Sequence, residues 1–82
     1  MLHVSVISPE TVLFEGDAES VVAPAHDGEV GILTGHAPLM ALLGEGELRL
    51  GGGSGRKFKV SGGFMQVIEN QVRVVTEKAT AA

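Results

Sequence analysis

Eighty-two residues, a net charge of −4, 44% apolar content and no cysteine describe one small globular domain. Without Cys there is no disulfide framework and no thiolate metal site, and the cysteine-free composition fits the cytosol. An acidic balance with three aromatics, all Phe, argues against nucleic acid.

No apolar run approaches the roughly 20 residues that cross a bilayer. The opening MLHVSVISPE has neither a basic leader nor a long apolar region, so no signal peptide is expected. A chain of this length buries roughly 60–65% of its unfolded surface. Its stability is therefore modest and leaves room for partner contacts to add to it.

In chain order, Leu2, Val4 and Val6 alternate with His3, Ser5 and an apolar Ile7, the period-two pattern of a strand. Ser8-Pro9-Glu10 ends it, because Pro9 has no N–H for a ladder. Thr11 to Phe14 predicts a second strand, with a turn at Glu15-Gly16-Asp17. Glu19 to Ala23 predicts a third, ended by Pro24. His26-Asp27-Gly28-Glu29 predicts a tight turn around Asp-Gly, and Val30 to Leu33 a fourth strand. Thr34 to Pro38 is a corner holding His36 and Pro38. Leu39 to Leu43 fits either one helical turn or a short extended piece. Glu47 to Leu50 alternates again.

Gly51-Gly52-Gly53-Ser54-Gly55 predicts a flexible hairpin tip. It is answered by Arg56 to Val60, with Phe58 and Val60 inward and Lys57 and Lys59 outward. Ser61-Gly62-Gly63 turns into Phe64 to Ile68. Glu69-Asn70-Gln71 turns into Val72 to Glu77, where Val72 and Val74 share a face opposite Arg73. The tail from Lys78 to Ala82 has nothing to bury. Many short strands with frequent turns, and no segment of ten residues at helical period, predict an all-β sandwich or barrel. Outward Lys and Arg on the later strands read as edge protection.

The stretch from Asp27 to Gly46 organises this chain. It is the most apolar segment, and glycines at 28, 31, 35, 44 and 46 imply sharp bends or close backbone approach. A bend of fixed shape on a small domain serves packing or docking rather than turnover. Charge is unevenly spread: residues 1–48 hold eight acids and no Lys or Arg, whereas residues 49–82 hold all six bases and two acids. Either the domain has an acidic and a basic side, or the halves pair as neighbouring strands and neutralise each other.

Catalytic patterns are poorly supported. Gly51 to Lys57 imitates a phosphate loop, but the spacing is wrong, no Ser or Thr follows the Lys, and a strand follows where a helix is needed. His3, His26 and His36 lack the tight local spacing of zinc ligands, so corner-packing or solvated imidazoles are expected and no metal. Glu45 and Glu47 flank Gly46 at a turn and are expected to face water, without an apolar pocket to raise a pKa. A biotinyl- or lipoyl-type carrier is a flattened β-domain of similar length. It needs a modifiable Lys at an exposed hairpin tip, whereas Lys57 and Lys59 sit inside a strand pattern. No catalytic residue and no cofactor are expected.

Asp27-Gly28-Glu29-Val30-Gly31-Ile32, then Gly35-His36-Ala37-Pro38-Leu39, then Ser61-Gly62-Gly63-Phe64 resemble the N-terminal domain of the epsilon subunit of the rotary F-type ATP synthase. So do Val6-Ile7-Ser8-Pro9-Glu10 and Leu13-Phe14-Glu15-Gly16 at the opening. The resemblance covers essentially the whole chain. It implies a flattened β-sandwich of about ten short strands and a non-catalytic rotor subunit that couples proton transport to ATP synthesis. It also implies docking against the gamma subunit and the polar loops of the membrane c-ring, peripheral to the cytoplasmic face of the plasma membrane.

By motif, Asp27, Gly28 and Glu29 correspond to the c-ring contact, and Ser8, His36 and Ala41 to positions facing gamma. A Gly-shaped loop can hold one carboxylate in place for an Arg on the ring. Family members commonly add a C-terminal pair of helices that can brake ATP hydrolysis and in some bind ATP. This sequence shows no such helical hairpin, so brake and nucleotide site are expected to be absent if Ala82 is the natural terminus.

Overall fold

The computed structural model describes residues 1–52 and 55–81. Gly53 and Ser54 of the predicted hairpin tip, and Ala82 of the tail, lie outside the described residues. Among the described residues there is no helix. Ten strands are formed: β1 (Leu2–Ile7), β2 (Val12–Ala18), β3 (Ser20–Ala25), β4 (Gly28–Leu33), β5 (Leu39–Leu42), β6 (Glu45–Gly51), β7 (Lys57–Ser61), β8 (Phe64–Ile68), β9 (Gln71–Val75) and β10 (Lys78–Ala81). They build two five-stranded sheets, the first in the order β2-β1-β9-β8-β5 and the second β10-β7-β6-β3-β4. All neighbours pair antiparallel except β1 and β9, which are parallel.

The core lies between the sheets because alternate residues of each strand point inward. Leu2, Val4, Val6, Met65, Val67, Val72 and Val74 come from the first sheet. They meet Val21, Ala23, Ile32, Leu48, Leu50, Phe58 and Val60 from the second, all buried. The chain changes sheets five times, and two of these corners stack on each other. Ser61-Gly62-Gly63 carries β7 into β8, and Thr76-Glu77 carries β9 into β10. Gly63 is at φ +101°, and a Cβ there would collide with the Val75 carbonyl oxygen, so only glycine fits. Thr76 is buried, takes the Ile7 carbonyl with its N–H at 2.9 Å, and has its hydroxyl within reach of the Gly62 and Lys78 carbonyls at 3.0 and 2.9 Å. Its polar groups are thus satisfied inside the corner.

Several elements differ from the sequence reading, each for a local reason. No turn interrupts 15–17: β2 runs straight through, pairing Glu15 with Ser5 and Asp17 with His3. Gly16 serves packing, since a Cβ on it would sit 3.2 Å from the Phe14 ring. Pro24 does not end β3. The ladder to β6 stops at Val22, before the missing N–H matters, and the Pro24 carbonyl accepts from Gly44 at 2.8 Å. The β3–β4 turn is centred on His26 and Asp27, with Gly28 already paired to Ala25 and at φ +125°.

Leu39–Leu42 is extended because it pairs fully with β8. The tail is not idle: Lys78–Ala81 pairs with β7 through its backbone, which needs no apolar side chains, and Ala79 packs against the core. Edge protection fails as an account of Lys57, Lys59 and Arg73, because β7 and β9 are interior strands. The neutralising arrangement of charge is the observed one on the second sheet. Glu47 lies opposite Lys59, and Arg49 Nη2 donates to Glu29 Oε2 at 3.0 Å.

Candidate functional site

The outward residues of the first sheet form rows across its strands, because directly paired residues share a face. One row reads Leu42–Phe64–Val75–Ile7–Val12 across β5, β8, β9, β1 and β2, with Val12 brought opposite Ile7 by a bulge in the β1–β2 pairing. Every member is apolar. Leu42 is 69% and Val12 56% exposed, and the three between are half-buried against their neighbours. The next row reads Met40–Gln66–Arg73–Ser5–Glu15, with Met40 63% exposed. Beyond it lie Ile68, Gln71, His3 and Asp17. The face therefore grades from an apolar band beside the sheet-changing corners to a polar end. An apolar band rimmed by polar side chains is the build of a protein-docking surface.

At the polar end His3 stands between two carboxylates, with Nε2 at 3.3 Å from Glu15 Oε2 and Nδ1 at 3.4 Å from Asp17 Oδ1. The side-chain hydrogen bond with Glu15, and then that with Asp17, raise the His3 pKa above the ordinary histidine value. Arg73 lies in the same groove. Among the described residues no group of three or more His, Cys, Asp or Glu is placed to hold a metal ion.

The residues singled out by sequence fall into three places. Asp27, Gly28 and Glu29 are exposed at the β3–β4 turn and the start of edge strand β4. They share a groove with Leu39, Met40, Ala41 and Leu42, so the structure brings that trio beside Ala41. The Glu29 carboxylate is held by Arg49. Ala41 lies opposite Met65 and turns toward the core, so the exposed side chains of β5 are its neighbours Met40 and Leu42.

Ser8 and His36 lie at opposite ends of the first sheet. Ser8 follows β1 and spends its groups on the Pro9-Glu10 turn, where its N–H and Oγ both donate to the Thr11 carbonyl at 2.9 and 3.2 Å. His36 is half-buried in the corner after β4. Its N–H donates to the Leu33 carbonyl at 3.1 Å and its Nδ1–H to the Ala37 carbonyl at 2.7 Å, leaving Nε2 free of those bonds.

Sequence reasoning missed the apolar band. Its signal was present as adjacent apolar pairs at strand ends: Val6-Ile7, Val12-Leu13, Leu42-Leu43, Phe64-Met65 and Val74-Val75. Each pair breaks alternation and so makes both sheet faces apolar at one level. Lys57 and Lys59, the lysines weighed for carrier-type attachment, lie along β7 opposite Arg49 and Glu47 rather than at a turn tip.

Fold and face together define a β-sandwich domain, with one partly apolar outer face and one charged one. Residues 1–82 match the family model described as the ATP synthase delta/epsilon chain β-sandwich domain, and the chain belongs to that family. It is 47% identical over 77 residues to the ATP synthase epsilon chain of Leptospira borgpetersenii, covering 93% of this chain and 61% of that protein. It is 39% identical over 82 residues to the epsilon chain of Chloroflexus aurantiacus, covering 99% and 59%. The chain thus spans about three-fifths of the length of these relatives. Its fold superimposes with a TM-score of 0.88, at 21% identity, on a chain in the Euglena gracilis mitochondrial ATP synthase OSCP/F1/c-ring structure, covering 98% of this chain and 52% of that one. A chain of the Tetrahymena thermophila mitochondrial ATP synthase central stalk and c-ring gives 0.81 at 17% identity, covering 96% and 65%.

Proposed function

We propose that this domain is the sandwich of a non-catalytic rotor subunit of a rotary ATP synthase, linking the gamma subunit to the c-ring and so coupling proton transport to ATP synthesis. The observation that carries this reading is the apolar band Leu42–Phe64–Val75–Ile7–Val12 across the outer face of the first sheet, with exposed Met40 beside it. A subunit under torque needs a rigid interface, and a paired sheet face supplies apolar anchors without ordering a loop on binding.

Gamma is assigned to this face and to its surroundings at Ser8, His36 and Ala41. The c-ring polar loops are assigned to Asp27, Gly28 and Glu29, and the domain sits peripherally at the cytoplasmic face of the inner membrane. Glu29 is suited to the ring side because it is exposed on a paired strand and oriented by Arg49. A cation on the ring loop would then share or displace Arg49.

Capture of purified gamma subunit by the immobilised domain tests the first half; no binding at micromolar concentrations refutes it. For the second half, Glu29→Lys places a cation beside Arg49 and opposite any basic ring loop. Recovery of the variant subunit with the membrane sector is expected to fall while the melting temperature stays within a few degrees of the parent. Recovery at the parent level refutes the ring assignment.

A further inference from the structure

The connection from β4 to β5 carries the chain from the second sheet to the first, and it contains His36. Within residues 34–38 two hydrogen bonds are purely local, from His36 N–H to Leu33 and from His36 Nδ1–H to Ala37. Among the described residues, one hydrogen bond ties this corner to the rest of the molecule: the Gly35 N–H donates to Asn70 Oδ1 at 2.6 Å, across 35 positions of sequence.

Asn70 occupies the β8–β9 turn, where Glu69 and Asn70 are both left-handed at φ 48° and 63°. Glycine meets that backbone demand best at the second position of such a turn. Asparagine meets it less well but brings an acceptor. Here the acceptor reaches Gly35, itself left-handed at φ +86°, while the Asn70 backbone carbonyl takes the His3 N–H at 2.8 Å. One half-buried residue therefore joins the β8–β9 turn, the start of β1 and the inter-sheet corner.

We infer that Asn70 is the positioning residue of the docking face, its side-chain oxygen fixing the Gly35–Ala37 corner so that His36 and the head of β5 are set before a partner arrives. This rests on the reading that the first sheet's outer face meets gamma. Preorganisation of this kind raises affinity by removing the ordering cost of the corner from the binding step.

The test uses the 82-residue chain, amide exchange at Gly35 and the affinity for purified gamma. Asn70→Gly keeps the left-handed turn and deletes only the acceptor; Asn70→Asp keeps an acceptor in a residue that also tolerates this backbone. Asn70→Gly is expected to speed Gly35 exchange about tenfold and to weaken gamma binding about fivefold, in line with losing one hydrogen bond. Asn70→Asp is expected to restore both. Unchanged Gly35 exchange in Asn70→Gly, or Asn70→Asp binding gamma no better than Asn70→Gly, overturns the inference.

Leu42→Glu separates the two readings. If it abolishes gamma binding while Asn70→Gly speeds exchange without weakening binding, the positioning role is wrong and the docking face stands. If Leu42→Glu leaves gamma binding intact, the docking face is wrong and the positioning role falls with it, whatever Gly35 exchange reports about the clamp.

Discussion

The two outer faces of this sandwich are built from strands of similar length, yet they differ in what they show to water. The second sheet presents Glu29, Glu47, Arg49, Lys57 and Lys59, with Glu47 opposite Lys59, Arg49 paired to Glu29, and Lys57 opposite Arg49. The first presents a band of five apolar side chains grading into His3, Glu15, Asp17 and Arg73. Charged side chains lose hydration when covered and regain it only with matched partners, so the second face favours water. The apolar band gains when covered, at roughly 25 cal/mol for each Å² removed from water. The lesson is that a core pattern fulfils only one face of a strand, and the other face is free to differ between the two sheets.

The largest effect should come from inverting the apolar face. Leu42→Glu puts a carboxylate in the band at a side chain that is already mostly exposed. Folding stability should change by under ~0.5 kcal/mol, whereas gamma binding should weaken by about 2 kcal/mol or more, roughly 30-fold. Calorimetric titration against gamma, with a thermal melt as control, measures both; a loss of binding matched by a loss of fold would break the contrast.

The reciprocal change is expected to be mild. Converting Lys57 and Lys59 together to Gln removes charge from the second sheet, where exposed pairs contribute about 0.2–1 kcal/mol each. Gamma affinity should be unchanged. A loss as large as that of Leu42→Glu would mean that the docking face has been put on the wrong sheet.

The smallest effect concerns His3. Its pKa is raised in the folded chain, so the protonated imidazole is favoured by folding. That contribution is fully present below the unfolded value of about 6.5 and is lost as pH rises through the folded value. Histidine NMR should place the His3 midpoint above the ordinary value, and His3→Gln should flatten the stability profile across that window. A midpoint at or below the ordinary value would show that Glu15 and Asp17 do not hold the ring in solution.

Much of the strand inventory was legible because alternation survives wherever one face is buried: Leu2, Val4 and Val6 or Val72 and Val74 have no other economical arrangement. The turn-forming role of Gly62 and Gly63 was legible too, since their φ values of 71° and 101° are glycine's territory. Gly16 misled, because a glycine admitting the Phe14 ring and a glycine making a turn look alike along the chain. Lys78–Ala81 misled in the opposite sense, since backbone pairing with β7 leaves almost no trace in side chains.

The candidate site divides along the same line. The exposed turn at Asp27 to Glu29 and the His36 corner could be read from composition, because local backbone demands select Gly, Asp and Pro. For the apolar band the sequence showed only adjacent apolar pairs at strand ends, not that they meet in one row. It exists because β1 and β9 run parallel, and because the other pairings put Leu42, Phe64, Val75, Ile7 and Val12 at one level. Periodicity along a strand is local information, set by which face must leave water. Register between strands is settled by the joint packing of both sheets, and that sum over distant residues decided which apolar side chains share the outer face.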